Sequence, residues 1–205
     1  LLPETIGSIA YLSKRQDLLK KNVVCGYNLT CVGDERSYSH VESRYGNNLS
    51  DIALRSALTD LPNVINYSFL ERGSDERQYC APGIDLPLST FCRSKFGKYP
   101  EYHSSKDDFS VVTDKGLAGS FDVIKTIIDG FEFGLFPQVK VLGEPQLGKR
   151  GLYPNTSVLH KGIHPAQLRM NIIAYCDGKE SIFQIAQRLN VNLKLLLEEL
   201  KILQS

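Results

Sequence analysis

The richest concentration of reactive side chains lies between Gly73 and Asp108. It ends in Pro100-Glu101-Tyr102-His103-Ser104-Ser105-Lys106-Asp107-Asp108, which sets one histidine among carboxylates, hydroxyls and an aromatic ring. The stretch is too broken to be a helix. An imidazole in such a loop can bind a metal through one nitrogen while a second acceptor holds its other N–H. Carboxylates for a shared site are at hand in Asp75 and Glu76, which follow Gly73-Ser74, and in Glu101, Asp107 and Asp108. A borderline metal such as zinc takes imidazole and carboxylate ligands, usually from separated loops. On spacing alone, a solvated loop histidine accounts for the same residues.

A second candidate is Glu4, in Pro3-Glu4-Thr5-Ile6-Gly7-Ser8. A carboxylate directly before a helix can bind metal or act as a general base on water. It can equally be a helix-start carboxylate favoured by the macrodipole. A third is the polar run Asp34-Glu35-Arg36-Ser37-Tyr38-Ser39-His40, where Arg36, or Arg44 just beyond, can fix a substrate carboxylate; a surface ion-pair loop has the same composition. Gly143 to Arg150 nearly spells a phosphate-binding loop. Arg150 stands where a metal-binding hydroxyl is required, and Gly151 and Pro154 argue against a following helix, so that reading is discarded.

The elements that must position these groups follow from periodicity. Ile6 to Lys20 predicts a helix with an apolar face on Ile6, Ile9, Ala10, Leu12 and Leu18-Leu19. Val23 to Val32 predicts a buried strand, and Asp34 to Asn48 a long loop. Ser50-Asp51 predicts the cap of a helix carrying Ile52, Leu54, Ala57, Leu58 and Leu61. A strand is expected over Val64 to Leu70, and a loop-rich stretch over Glu71 to Lys106 with one short strand inside Ile84 to Phe91. Leu117 to Phe133 predicts a helix built on Phe121, Ile124, Ile127, Ile128 and Phe131. This is an α/β pattern, with functional groups expected in loops beyond strand ends. Pro137 to His164 reads as a linker or irregular arm. Three helical segments follow from Pro165: one on Leu168, Ile172, Ile173 and Tyr175, one capped by Ser181, and a leucine-rich third after Asn190-Val191-Asn192. That is the pattern of a small winged helix. Its third helix sets Lys194 and Lys201 against Glu198 and Glu199, which disfavours nucleic acid as a partner.

Composition bounds the rest. The chain has 205 residues, 42% of them hydrophobic, with a formal net charge of +1, so no global field draws it to nucleic acid or an anionic membrane. No apolar run is long enough to span a bilayer. Five cysteines without close pairs suggest free thiols in a reducing cytoplasm. Sequons begin at Asn28, Asn48, Asn66 and Asn155 and are taken as chance matches. There is no initiator Met, and apolar residues run straight into Pro3-Glu4, so the chain is expected to be a piece of a longer protein.

Four segments together, Pro3 to Leu12, Leu29 to Asp34, Gly73 to Gly83 and Tyr99 to Asp107, resemble bacterial aminopeptidase-like proteins associated with surface-polysaccharide biosynthesis, relatives of the zinc exopeptidases. The resemblance covers nearly the whole chain. It implies the C-terminal part of an aminopeptidase-like, phosphorylase/hydrolase-like three-layer α/β sheet domain over residues 1–134. A linker would occupy 135–164 and a winged-helix-like domain 165–205. By motif, it implies Glu4 as the catalytic base, with Thr5 in place of the metal ligand that follows it in those peptidases. It implies His103 as a zinc ligand. A strand-end aspartate ligand is replaced by Thr30, leaving Asp34 or Glu35 as substitutes, and Ser74-Asp75-Glu76 stands for a Ser-Asp-His motif.

The expectation is therefore a zinc-dependent hydrolase of a peptide-like or amino-acyl small substrate, with one zinc on His103 and Asp34 and further ligands upstream of Leu1. Glu4 would be its catalytic residue, and Arg36, Arg44 and Tyr102 would hold substrate. It is expected to be cytoplasmic, with no membrane partner; a homo-oligomer is compatible with it. The alternatives are a non-catalytic scaffold on a degenerate peptidase fold and a DNA-binding regulator.

Overall fold

A computed structural model gives the fold of residues 3–153 and 164–204. The chain divides into two compact units, Leu1–Lys125 and Thr126–Ser205. The segment containing Asn155 lies outside the described residues.

The first unit is a four-stranded sheet with helices on both faces. Helix α1 spans Ile6–Asn22, β1 Gly26–Leu29, β2 Tyr38–Val41, α2 Leu49–Leu58, β3 Val64–Tyr67, α3 Glu76–Tyr79, β4 Leu88–Cys92 and α4 Asp114–Phe133; the division between units falls within α4. Strand order is β1-β4-β2-β3, with β4 parallel to β1 but antiparallel to β2. Directly opposed residues share a face, so Asn28, Thr90, Val41 and Tyr67 lie on one side, and Leu29, Phe91, His40 and Asn66 on the other. Helix α2 covers the His40 face: His40 Nε2 meets Asp51 Oδ1 at 3.0 Å, and the Tyr27 hydroxyl donates to Ser50 O at 3.0 Å. The α3 turn covers the other face, where Asn28 Nδ2 donates to Glu76 Oε2 at 3.1 Å.

Several expectations are corrected. The loop expected over Asp34 to Asn48 contains β2, whose polar residues Ser39 and His40 are fully buried. Helix α2 is capped by Asn48 rather than Ser50; Asn48 accepts from Ser50 N and Asp51 N, and Asp51 returns a bond to Asn48 N. The β1 strand is confined to Gly26–Leu29, and β3 ends at Tyr67, giving way to a 3₁₀ turn over Phe69–Glu71. Helix α4 starts three residues before Leu117, at Asp114. Its first turns pack directly on the loop after β1. A Cβ on Gly116 would come 1.9 Å from Gly33 O, and Ser120 Oγ donates to Val32 O at 2.7 Å.

The second unit holds α5 (Pro165–Tyr175), α6 (Ile182–Leu189) and α7 (Leu193–Gln204). Ile172, Ile182, Phe183, Ile185, Leu193 and Leu196 form its fully buried core. Ser181 caps α6 in a reciprocal box with Gln184, as the sequence predicts. Asn190 turns the chain into α7 through a left-handed conformation at φ 51°. The exposed side of α7 carries Lys194, Leu195, Glu198 and Lys201, while Glu199 is buried on Arg169 at 2.6 Å. A 3₁₀ turn, Leu147–Arg150, occupies the irregular stretch before α5. Among the described residues no helix is long and apolar enough to cross a membrane.

Candidate functional site

The C-terminal ends of β1 and β4 lie together, because these strands are parallel neighbours. Loops leaving that end carry Cys31, Asp34, Arg36 and the 99–108 segment. Arg36 grips Glu101 in a two-pronged ion pair at 2.9 and 3.1 Å. The Arg36 guanidinium holds the Glu101 carboxyl below its ordinary range. The Tyr99 hydroxyl lies 3.5 Å from Cys31 Sγ and 3.2 Å from Asp107 Oδ2. These ties fix the loop that presents Tyr102 and His103.

His103 is exposed, in a left-handed conformation at φ 56°, its ring stacked on Tyr102 with centroids 3.9 Å apart. A non-glycine residue there is uncommon and costs backbone energy. Burial pushes the Tyr102 phenol up, and the charges of Cys31, Glu4 and Asp107 add to it.

Glu4 precedes a strained backbone turn at Thr5. Thr5 has φ 61° and ψ −66°, and Ile6 N donates to Glu4 O at 2.7 Å. That is a γ-turn of the rare, strained hand, built on a β-branched residue that resists positive φ. One segment grips it. Ser74 Oγ donates to Glu4 Oε1 at 2.7 Å, Thr5 N donates to Asp75 Oδ1 at 2.7 Å, and Arg77 donates to Thr5 Oγ1 at 3.0 Å. That segment is itself anchored. Glu76, fully buried, accepts from Gly73 N at 2.6 Å, Ser74 N at 3.0 Å and Asn28 of β1. The sequence shows the carboxylates of Asp75 and Glu76 but not the bond from Thr5 N to Asp75, because a bond across seventy residues leaves no local pattern.

The other expected site residues fare differently. Asp34 is buried, and both its oxygens are taken: Oδ1 accepts from Arg36 N at 2.9 Å and Ser94 Oγ at 2.8 Å, and Oδ2 from Ser94 N at 2.7 Å. It locks the β1 loop to the β4 loop. Arg36 shares the end of the sheet with Tyr102 and His103, its guanidinium committed to Glu101. Arg44 does not. It follows the far end of β2 and pairs with Asp85, ahead of β4, at 2.8 Å. Among the described residues no three His, Cys, Asp or Glu side chains come together as a group able to hold a metal. Among the described residues, His103 is an exposed single donor and both oxygens of Asp34 are already taken.

A family profile described as domain of unknown function (DUF4910) matches residues 1–133, and one described as winged helix-turn-helix matches 135–205. The chain is 34% identical over 192 residues to a Clostridium acetobutylicum protein named as a polysaccharide biosynthesis protein with aminopeptidase-like domain, covering 91% of this chain and 43% of that one. A crystal structure described as that of a peptidase from Clostridium acetobutylicum superposes with a TM-score of 0.81 at 30% identity, over 98% of this chain and 45% of that one. An aminopeptidase from Aneurinibacillus sp. strain AM-1 superposes with a TM-score of 0.50 at 20% identity, over 60% of this chain and 29% of that one; it supports the fold alone. The chain thus spans less than half the length of these relatives.

Proposed function

The chain belongs to the DUF4910 family, and from that premise we propose that the protein is a hydrolase of the aminopeptidase type acting on a peptide-like or amino-acyl substrate. The observation that carries this reading is the strained γ-turn at Thr5, which presents an exposed Glu4 and is gripped by Ser74, Asp75 and Arg77. Costly backbone persists where surrounding structure over-determines it, and such places cluster at functional sites.

Glu4 is exposed, with Oε1 held by Ser74. Oε2 then takes a proton from a water whose oxygen attacks the substrate carbonyl. The C–N bond breaks, and Glu4 returns the proton to the departing amine. Tyr102 offers an aromatic face and a phenolic hydroxyl to the substrate. In the whole protein His103 would serve as one zinc ligand only if other donors joined it, and zinc would then polarise the carbonyl. The name of the Clostridium acetobutylicum relative supports a role in polysaccharide biosynthesis.

The test is hydrolysis of amino-acyl and dipeptide substrates by the full-length protein. Glu4→Gln is expected to lower kcat by at least about 100-fold, the usual worth of a general base, with metal content unchanged. His103→Ala is expected to lose metal. Normal turnover in Glu4→Gln refutes the assignment. A second reading, a non-catalytic binding module on a peptidase fold, is favoured by the commitment of Asp34 to Ser94 and Arg36. Absence of both zinc and turnover in the full-length protein would establish it over the first.

A further inference from the structure

Of the three contacts that Ser74, Asp75 and Arg77 make with Glu4 and Thr5, two join side chain to side chain: Ser74 to Glu4 and Arg77 to Thr5. Such bonds survive a change of backbone conformation, because rotamers can follow it. The bond from Thr5 N to Asp75 Oδ1 cannot, because it grips the peptide N–H itself. That N–H precedes α1, where the helix supplies no acceptor for it. Two backbone bonds also span the turn, Ile6 N to Glu4 O at 2.7 Å and Gly7 N to Pro3 O at 2.8 Å, but neither takes up the Thr5 N–H; without Asp75 that N–H loses its acceptor, and relaxation of Thr5 to negative φ would swing the Glu4 peptide and side chain together. Asp75 is in turn held to the sheet through Glu76 and Asn28.

We propose that Asp75 is a positioning residue for Glu4: its carboxylate holds the γ-turn at Thr5, and the turn fixes the direction in which Glu4 presents its free oxygen. The proposal rests on the reading of Glu4 as proton carrier. It adds that a contact from a segment seventy residues away, rather than the local sequence, sets the catalytic geometry. Arg77 and Ser74 supply friction on the side chains; Asp75 supplies the backbone constraint.

Two measurements test it. In the 205-residue chain, NMR reads the Thr5 backbone through its HN–Hα coupling and Cα and Cβ shifts. Wild type and Asp75→Asn, whose amide oxygen still accepts, are expected to show positive φ, and Asp75→Ala negative φ. In the full-length protein, Asp75→Ala is expected to lose roughly tenfold to 100-fold in kcat with KM unchanged, the scale of a misplaced catalytic group, and Asp75→Asn to restore it. A structural role alone would not give that split with rescue. Positive φ retained in Asp75→Ala overturns the proposal, as does undiminished kcat in Asp75→Ala when Glu4→Gln is dead. Normal turnover in Glu4→Gln sinks the functional reading instead, and the Thr5 measurement still decides whether Asp75 holds the turn.

Discussion

Asp51 is the residue on which the first unit should depend most. Its carboxylate is fully buried and accepts four bonds: from His40 Nε2 at 3.0 Å, Ser43 N at 2.8 Å, Ser43 Oγ at 2.5 Å and Asn48 N at 3.1 Å. The other ring nitrogen of His40 faces Asn66 Oδ1 at 3.2 Å. Each ring nitrogen thus faces an oxygen, and the buried ring is fixed between Asp51 and Asn66. Asp51→Ala removes the acceptor and strands buried donors. Breaking one side of a buried pair costs about 3–5 kcal/mol. The orphaned Ser43 N–H and hydroxyl add about 1–3 kcal/mol each, less what relaxation of the site recovers. We expect a loss of about 5 kcal/mol, comparable to the whole stability of a small domain, roughly 5–15 kcal/mol. Asp51→Asn, which keeps one oxygen, should lose about half of that. Urea unfolding at neutral pH, followed by circular dichroism and by exchange of the Val41 and Leu54 amides, measures both. The pH dependence carries a definite sign. Burial alone would raise the Asp51 carboxyl, but hydrogen bonds from His40 and Ser43 outweigh it and hold the carboxyl below its ordinary range. A depressed carboxyl stabilises fully above its unfolded value, about 3.9, and that contribution fades as pH falls through the lower folded value. The gap between wild type and Asp51→Asn should therefore narrow only in acid. An Asp51→Ala loss under about 1 kcal/mol, or a gap that narrows as pH rises, would refute the reasoning.

Gly116→Ala should destabilise, although alanine in a helix interior ordinarily gains about 1 kcal/mol over glycine, because the new Cβ would sit 1.9 Å from Gly33 O; a raised melting temperature would contradict the close contact of α4 with the β1 loop. Thiol labelling should also be ordered. Burial pushes Cys92 up to about 12 and Cys80 and Cys176 up to about 11, so at pH 8 all three should react far more slowly than half-buried Cys31; equal rates for Cys92 and Cys31 would refute this.

What was legible in the sequence is what is local. The Ser181 cap and the winged-helix core follow from apolar spacing and capping chemistry within a few residues; the helix at Ile6 forms as expected, but its expected apolar face does not hold, since Ile6, Ile9, Ala10 and Leu18 are exposed and of that set only Leu12 is buried. Strand β2 was not legible. Tyr38-Ser39-His40-Val41 looks like a polar loop, and its burial makes sense only once Asp51 and Asn66 supply partners for His40. The α2 start was misplaced by two residues for a related reason: Ser50 looks like the cap, but the reciprocal bond from Asp51 selects Asn48.

The same division runs through the site. Residue types and motif resemblance make Glu4, His103, Tyr102 and Arg36 candidates, because they depend on which side chains exist and in what order. Position was another matter. Arg44 looked equivalent to Arg36 in the chain, yet antiparallel pairing of β2 with β4 sends it to the opposite end of the sheet. Asp34 looked available, yet Ser94 and Arg36 occupy both its oxygens. The grip of Asp75 on Thr5 joins residues seventy apart. Periodicity and capping encode what neighbours along the chain can do for one another. Which strand ends meet, and which carboxylates are left free when they do, is fixed only by long-range pairing, and that is what the tertiary structure decided.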